Sequence, residues 1–414
     1  MDKPKLDATD YRFLNDPYEK YKEFRRAGVG WVDVPYATHW VFSHKLVAEV
    51  NERKAEFLKP GKDRTGNKSG PFSVANNLKD GLFFMDPERH TEVRGVMNTI
   101  FGDAIAGAPE LAGKTAKELL GKALMKGQVD VIGEFAGKLA SQVFFQLMGV
   151  PQDAWDLVDN WVRTALDGHR ATMLPQLRAK GGTTTFAMRA YFRSLQEGAS
   201  KTAPNSILAG MRAATGCPAS HVKMDPDEAM NTAVHMALGG YLSTEFLIGT
   251  GVYNLLRHPD QWQQLLRDRS LMPQAIDEML RYDAPFQLAD RWVNDKNEKG
   301  DAIEAIELGG ERLKSGTVIA VVYGSANRDE TVFDKPDEFN ITRSLRKGAD
   351  DPTPNLGFGD GVHRCIGESL ARPVTAAAIG ALLDLAPTAR IGEVGPWAAD
   401  PYFRSLTRLQ LLLR

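Results

Sequence analysis

A mainly α-helical protein with a minor β region, organised as one large domain over residues 1–414, is the fold class this sequence predicts. Three observations lead there. Long stretches carry apolar residues at helical spacing between recognisable caps, while β-branched and aromatic runs are few and short. No Pro/Gly/Ser-rich linker, charge run or internal repeat divides the chain.

The elements follow in order. Asp16-Pro17 opens an amphipathic helix from Tyr18 to Arg26, stopped by Ala27-Gly28. Short runs at Gly30–Val34 and His39–Phe42 read as a hairpin. Asp86-Pro87 starts a second helix through His90 and Arg94 to Phe101, and helical spacing recurs from Leu111 to Leu147. The best-bounded helix begins at Asp225-Pro226-Asp227-Glu228, where an N-cap, a proline at the first helical position and first-turn acids coincide. It is expected to run unbroken to Arg257-His258-Pro259, roughly 50 Å at the helical rise. Strand character returns at Arg312–Val322, and a last helix spans Glu368 to Leu385 before Pro387. The stretch Asn294–Ala305 has the character of an insertion.

Composition narrows the function. With 43% hydrophobic and 25% charged residues the chain is of ordinary globular type, and a formal net charge of −2 supplies no field for nucleic acid or an acidic membrane. The polar first 28 residues hold no apolar segment, so a soluble, cytoplasmic protein without membrane or nucleic-acid partners is expected. Two cysteines, Cys217 and Cys365, make no disulfide framework.

Phe358-Gly359-Asp360-Gly361-Val362-His363-Arg364-Cys365-Ile366-Gly367 is the most informative segment. Glycines beside a cysteine let the backbone turn sharply, approach a large planar ligand and point N–H groups at the sulfur. The helix expected from Glu368 places its N-terminus at the thiolate, which the dipole favours. The plainer alternative is a buried cysteine in a turn. With 19 Phe and 38 Gly in 414 residues, Phe and two Gly at these offsets from either cysteine arise by chance with probability of roughly 8 × 10⁻⁴.

On these residues the chain resembles the cytochrome P450 superfamily, whose haem loop reads Phe-x-x-Gly-x-x-x-Cys-x-Gly, and the resemblance extends from Asp16-Pro17-Tyr18 to Phe403-Arg404. It implies that fold, with a long central helix crossing over haem b, Cys365 as the iron's axial thiolate, and Phe358 and Gly367 in the cofactor loop. Asp86-Pro87-x-x-His90-x-x-x-Arg94, Arg291 and His363 match its propionate-binding positions, since buried carboxylates need cationic or N–H partners. Alone, Glu278-Met279-Leu280-Arg281 reads as a surface ion pair worth a few tenths of a kcal/mol. Upstream of Cys365 it resembles the family's buried Glu-x-x-Arg network, with Arg343 as third member in a structural role.

Midway along the long helix stands Gly239-Gly240-Tyr241-Leu242-Ser243-Thr244. Two glycines cost a helix about 1 kcal/mol each, for which either close packing or room for a diatomic ligand at Gly240 accounts. The family places an acid and a threonine where this chain has Leu242 and Ser243, so Ser243 and Thr244 are the candidate proton-handling residues. Serine keeps a hydroxyl; leucine removes the titratable group. By resemblance the pocket is lined by 65–82 including Asn77, by 167–188, by Leu238, Tyr241 and Leu242, by Phe286, Gln287 and Ala289, and by Tyr402 and Phe403. Its polar and aromatic members suit an aromatic or amide-bearing small molecule, and Gly181-Gly182 is expected to form a mobile lid between two helices.

The implied activity is monooxygenase-type oxidation of a natural product, using dioxygen and electrons from a ferredoxin and its reductase. Radical coupling or ring closure of an aromatic or cyclic-dipeptide-like substrate, peroxide-driven oxidation, and a non-catalytic haem sensor or carrier stand as alternatives. The remaining histidines (His39, His44, His169, His221, His235, His258) show no close metal-ligand spacing and are read as structural.

Overall fold

The computed structural model describes residues 5–27, 29–32, 38–59, 78, 80–170, 175–198, 203–216, 223–297, 299–343, 345 and 355–414. Asn77 and Cys217 lie outside them. In chain order the elements begin β1 (Lys5–Leu6), α1 (Tyr11–Asn15), α2 (Tyr18–Ala27), β2 (Val29–Val32), β3 (His39–Val41), α3 (His44–Glu52) and β4 (Phe57–Leu58). Then come α4 (Pro87–Ile105), α5 (Ala108–Lys126), β5 (Gln128–Asp130), α6 (Gly137–Met148), α7 (Trp155–Arg170), α8 (Pro175–Glu197), α9 (Ile207–Gly216), α10 (Pro226–Gly239) and α11 (Leu242–Arg257). The chain closes with α12 (Pro259–Arg267), α13 (Met272–Tyr282), β6 (Leu288–Val293), β7 (Ala305–Leu308), β8 (Glu311–Lys314), β9 (Val318–Val322), α14 (Tyr323–Ala326), α15 (Glu368–Leu385), β10 (Arg390–Val394) and β11 (Leu409–Leu412). Helix dominates.

Two compact units emerge: Met1–Leu58, Ala116–Gly137 and Ser243–Arg414 form the first, Lys59–Thr115 and Lys138–Leu242 the second. The first holds a six-stranded sheet in the order β1-β2-β3-β9-β6-β4, beside a three-stranded sheet β10-β11-β5 and the hairpin β7-β8. The hairpin expected from the early β-branched runs is β2-β3, with Val29 opposite Val41. On β9 the two-residue alternation sorts Ile319 and Val321 into one apolar cluster, and Val318, Ala320 and Val322 into another. Both faces of this strand are therefore covered, and each large apolar side chain so buried contributes about 1.5–3 kcal/mol. The strand character expected at Arg312–Val322 is carried by two strands, with Ser315-Gly316-Thr317 turning between β8 and β9 and Gly316 at φ 84°.

The second unit is helical. Its α10 starts as the sequence implies: Asp225 accepts from the N–H of Asp227, and Glu228 accepts from the N–H of Asp225, 2.9 Å. It then differs from expectation. Instead of running unbroken to Arg257, the segment is interrupted at Gly240–Tyr241 and restarts as α11. Gly240 lies where a Cβ would stand 2.2 Å from a ring carbon of Phe144, so close packing requires that glycine, whereas a Cβ added at Gly239 would meet no described atom beyond its own helix within 4 Å. The Gly181-Gly182 lid is also corrected: both residues sit inside the continuous helix α8. A Cβ on Gly181 would meet the Cα of Gly168 at 2.8 Å, so Gly181 serves a close crossing of α7 and α8.

Candidate active site

Local backbone chemistry builds the cysteine loop. Gly359 and Gly361 both adopt φ 68°, a region that side-chain-bearing residues rarely enter. The Gly359 N–H donates to Leu356 O at 2.8 Å and the Cys365 N–H to Phe358 O at 2.9 Å, closing the turn. Gly367, two residues past the cysteine, is the N-cap of α15. Glu368 accepts from both Arg364 and Arg372, Arg372 also reaches Asp277 at 2.7 Å, and its guanidinium lies over the Phe358 ring at 5.2 Å. Cys365 itself is exposed, unlike the average cysteine outside a disulfide, which is among the most buried of residues.

Helix α13 supports this loop from behind. Arg281 and Glu278, both 0% exposed, pair bidentately at 2.7 and 2.8 Å. The other N–H groups of Arg281 go to the carbonyls of Asn327, Pro336 and Glu338, so all five guanidinium donors are used. Arg343 Nε approaches Glu278 at 3.2 Å, and the Asn340 N–H donates to the same carboxylate at 2.8 Å. Asn327 then links pair and loop, its side-chain oxygen accepting from Leu356 N–H at 2.7 Å.

Arg291, on β6, is 4% exposed. Among the described residues its hydrogen bonds go only to neutral acceptors: the Asp290 carbonyl at 3.0 Å, Asn51 Oδ1 at 3.1 Å and the Tyr323 hydroxyl at 3.1 Å. The Nδ2 donor of Asn51 is buried without an acceptor among the described residues. A Cβ on Gly361 would lie 3.1 Å from Asn51 O, which places this donor pair against the cysteine loop. His363 stands half-buried in the single 3₁₀ turn of that loop. A buried guanidinium with a spare amide donor fits a carboxylate-bearing cofactor, and the exposed sulfur of Cys365 in the same loop as Gly361 fits its metal. The residues present fit haem.

In the second unit α4 carries His90 and Arg94 one turn apart. Burial, then the charges of Arg94 and Lys59, lower the His90 pKa to about 4, so the imidazole is neutral at pH 7. Arg94 is half-buried, its Nε donating to Asn98 Oδ1 at 2.9 Å.

Along α10 and α11, Leu238 and Ser243 are half-buried, while Leu242 and Thr244 are buried. Tyr241 is turned into the helical packing: its ring lies 5.2 Å from that of Phe145, and its hydroxyl donates to Asp159 at 2.6 Å. Glu245, 1% exposed, has Oε2 where a Cβ on Gly137 would meet it at 3.0 Å. Among the other expected lining residues, Phe286 and Phe403 form an isolated bridge with rings 5.4 Å apart. Tyr402 donates to the Asp290 carboxylate at 3.2 Å. Gln287 is committed elsewhere, its amide donating to Ala284 O at 2.7 Å and accepting from Tyr21, and Ala289 packs in an apolar cluster. Asn51, Tyr323 and Asn327 carry polar arrangements that sequence patterning passed over, because their partners are remote along the chain.

Fold and site together define a mainly helical protein with a glycine-braced, exposed cysteine backed by a buried Glu-x-x-Arg pair. The family model described as cytochrome P450 matches residues 142–384. Cytochrome P450 107B1 of Saccharopolyspora erythraea is 31% identical, covering 98% of this chain and 97% of that one. The 6-deoxyerythronolide B hydroxylase of the same organism is 29% identical over 78% and 74%. A solved structure of P450BioI in complex with an acyl carrier protein ligated to hexadec-9Z-enoic acid superposes with a TM-score of 0.85 at 25% identity, covering 97% of this chain and 100% of that one. The chain belongs to the cytochrome P450 family. It is accordingly an oxidoreductase of monooxygenase type, using haem with thiolate ligation, dioxygen and a small-molecule substrate. Among the described residues no helix is long and apolar enough to cross a membrane.

Proposed function

We propose that this chain is an oxidative tailoring enzyme that hydroxylates, or similarly oxidises, a small natural product bearing aromatic or amide groups, with electrons delivered by a ferredoxin and its reductase. The observation that carries the reading is the exposed Cys365 in a loop turned by two positive-φ glycines and backed by the buried Glu278–Arg281 pair. Haem, when bound, supplies the activation of dioxygen that inserts oxygen into an unactivated bond. Cys365 holds the iron through its thiolate, with Phe358 and Gly367 shaping the loop around it. Arg291, His363, His90 and Arg94 hold the propionates. Ser243 carries at its Oγ the proton that dioxygen reduction consumes and Thr244 orients that turn, while Gly240 serves the close packing against Phe144. The S. erythraea relative named as a hydroxylase supports this reaction class.

A second reading, oxidative coupling or ring closure, is favoured by one observation: the family's acid position is Leu242, 2% exposed. A phenol, indole or amide substrate brings protons of its own. Reduced, carbon-monoxide-bound protein with and without Cys365→Ser tests the ligand assignment, and oxygen uptake with a ferredoxin pair against peroxide alone tests the electron route.

A further inference from the structure

Gly240 and Tyr241 are all that separates α10 from α11. A continuous helix there would satisfy the carbonyls that end α10 and the N–H groups that start α11, so the interruption persists only where tertiary contacts outweigh those bonds. Gly240 keeps helical angles, φ −79° and ψ −23°, so the glycine by itself does not force the break. The Phe144 ring explains why position 240 carries no side chain. The residue of the break that is committed to a distant partner is Tyr241.

Tyr241 is completely buried, its ring 6.2 Å from that of Phe144 and edge-on to that of Phe145. Phenylalanine would fill that aromatic packing equally well, so the hydroxyl answers to something else. It donates to Asp159 Oδ1 on α7 at 2.6 Å, the length of a charge-assisted O–H···O⁻ bond. Asp159 is itself fixed in place, because Arg163, one turn along α7, donates through Nε to both of its oxygens at 3.3 and 3.1 Å. Position 242 is leucine, so the start of α11 brings no carboxylate of its own to hold the turn. The carboxylate that touches the break comes from another helix.

We infer that Tyr241 and Asp159 are a positioning pair: their hydrogen bond pins the interruption in one arrangement, and with it the Ser243 hydroxyl two residues further on. The consequence for chemistry rests on reading Ser243 as the proton-handling residue. Neither member of the pair touches the reacting atoms. Tyr241 acts through the backbone of the break, and Asp159 acts through Tyr241. Without the bond the break fluctuates among arrangements, because the termini it separates compete for the same unsatisfied N–H and carbonyl groups.

Amide hydrogen exchange of the haem-loaded chain, read on peptides covering residues 238–245, tests the pinning. Tyr241→Phe, which keeps the ring, and Asp159→Leu should each speed exchange there about tenfold, the factor that one net charge-assisted hydrogen bond sustains. Asp159→Asn retains an acceptor oxygen and should stay within about threefold of the parent. Exchange in α15 should not change, which separates local release from general destabilisation. The C–O infrared stretch of the reduced, carbon-monoxide-bound protein reads the effect beside the haem: a single band in the parent and in Asp159→Asn, broadened or split in Tyr241→Phe and Asp159→Leu. Parental exchange in both of those variants, acceleration equal to that in α15, or an Asp159→Asn as fast as Asp159→Leu overturns the pair. So does an unaltered band in Tyr241→Phe beside a shifted one in Ser243→Ala. A band that Ser243→Ala leaves in place refutes the proton-handling reading of Ser243 instead, and the exchange rates still decide the pinning.

Discussion

Arg281 donates to the backbone oxygen of Asn327, and the side chain of Asn327 holds the N–H of Leu356, three residues before the first positive-φ glycine of the cysteine loop. The Glu278–Arg281 pair thus reaches the start of the cysteine loop at Leu356 through one intermediary, Asn327. Breaking a buried pair leaves a charge uncompensated, at a cost of about 3–5 kcal/mol. Glu278→Gln should therefore lower the urea midpoint severely. Asn327→Ala, which strands the Leu356 N–H, should cost about 1–3 kcal/mol and shed haem while far-ultraviolet dichroism stays native. Full haem content in Asn327→Ala would break the proposed link.

Cys365→Ser should abolish the family's red-shifted Soret band in the reduced, carbon-monoxide-bound protein. Cys217→Ser should leave it intact. A retained band in the Cys365 variant would refute the ligand assignment.

Removing Arg94 and Arg291 together should reduce haem occupancy in purified protein, since each charge-assisted hydrogen bond is worth roughly 1.5–3 kcal/mol. Unchanged occupancy and melting temperature would show the propionates are held elsewhere.

Ser243→Ala separates the two reaction readings. If protons pass through this hydroxyl, product formation should fall by roughly two orders of magnitude, with more peroxide released per electron. A silent substitution would eliminate the Ser243 route and move the coupling reaction ahead.

Acid sensitivity follows from the two depressed histidines. His90 and His235 have folded pKa values of about 4 and about 3 against an ordinary 6.5. Between those values the unfolded chain binds protons that the folded chain does not, so stability is full above pH 6.5 and erodes as pH falls. The slope reaches at most about 1.4 kcal/mol per pH unit for each group. His235→Phe should flatten the urea midpoint between pH 6.5 and 4, and identical pH profiles for parent and variant would contradict the assignment.

What the sequence determined by itself was local. The α10 cap is written in four consecutive residues, and the β2-β3 hairpin in two nearby β-branched runs. The tight turn at Cys365 follows from glycines within six residues of it, because φ preference and short-range hydrogen bonds need no distant partner. Tertiary structure decided everything whose cause lies far along the chain. The helix breaks at Gly240 against Phe144, Gly181 is needed opposite Gly168, and Gln287 turns inward to Tyr21. Arg291 finds Asn51 across 240 residues. Such outcomes depend on which surfaces the fold brings together, and close packing punishes a misplaced methylene regardless of local propensity.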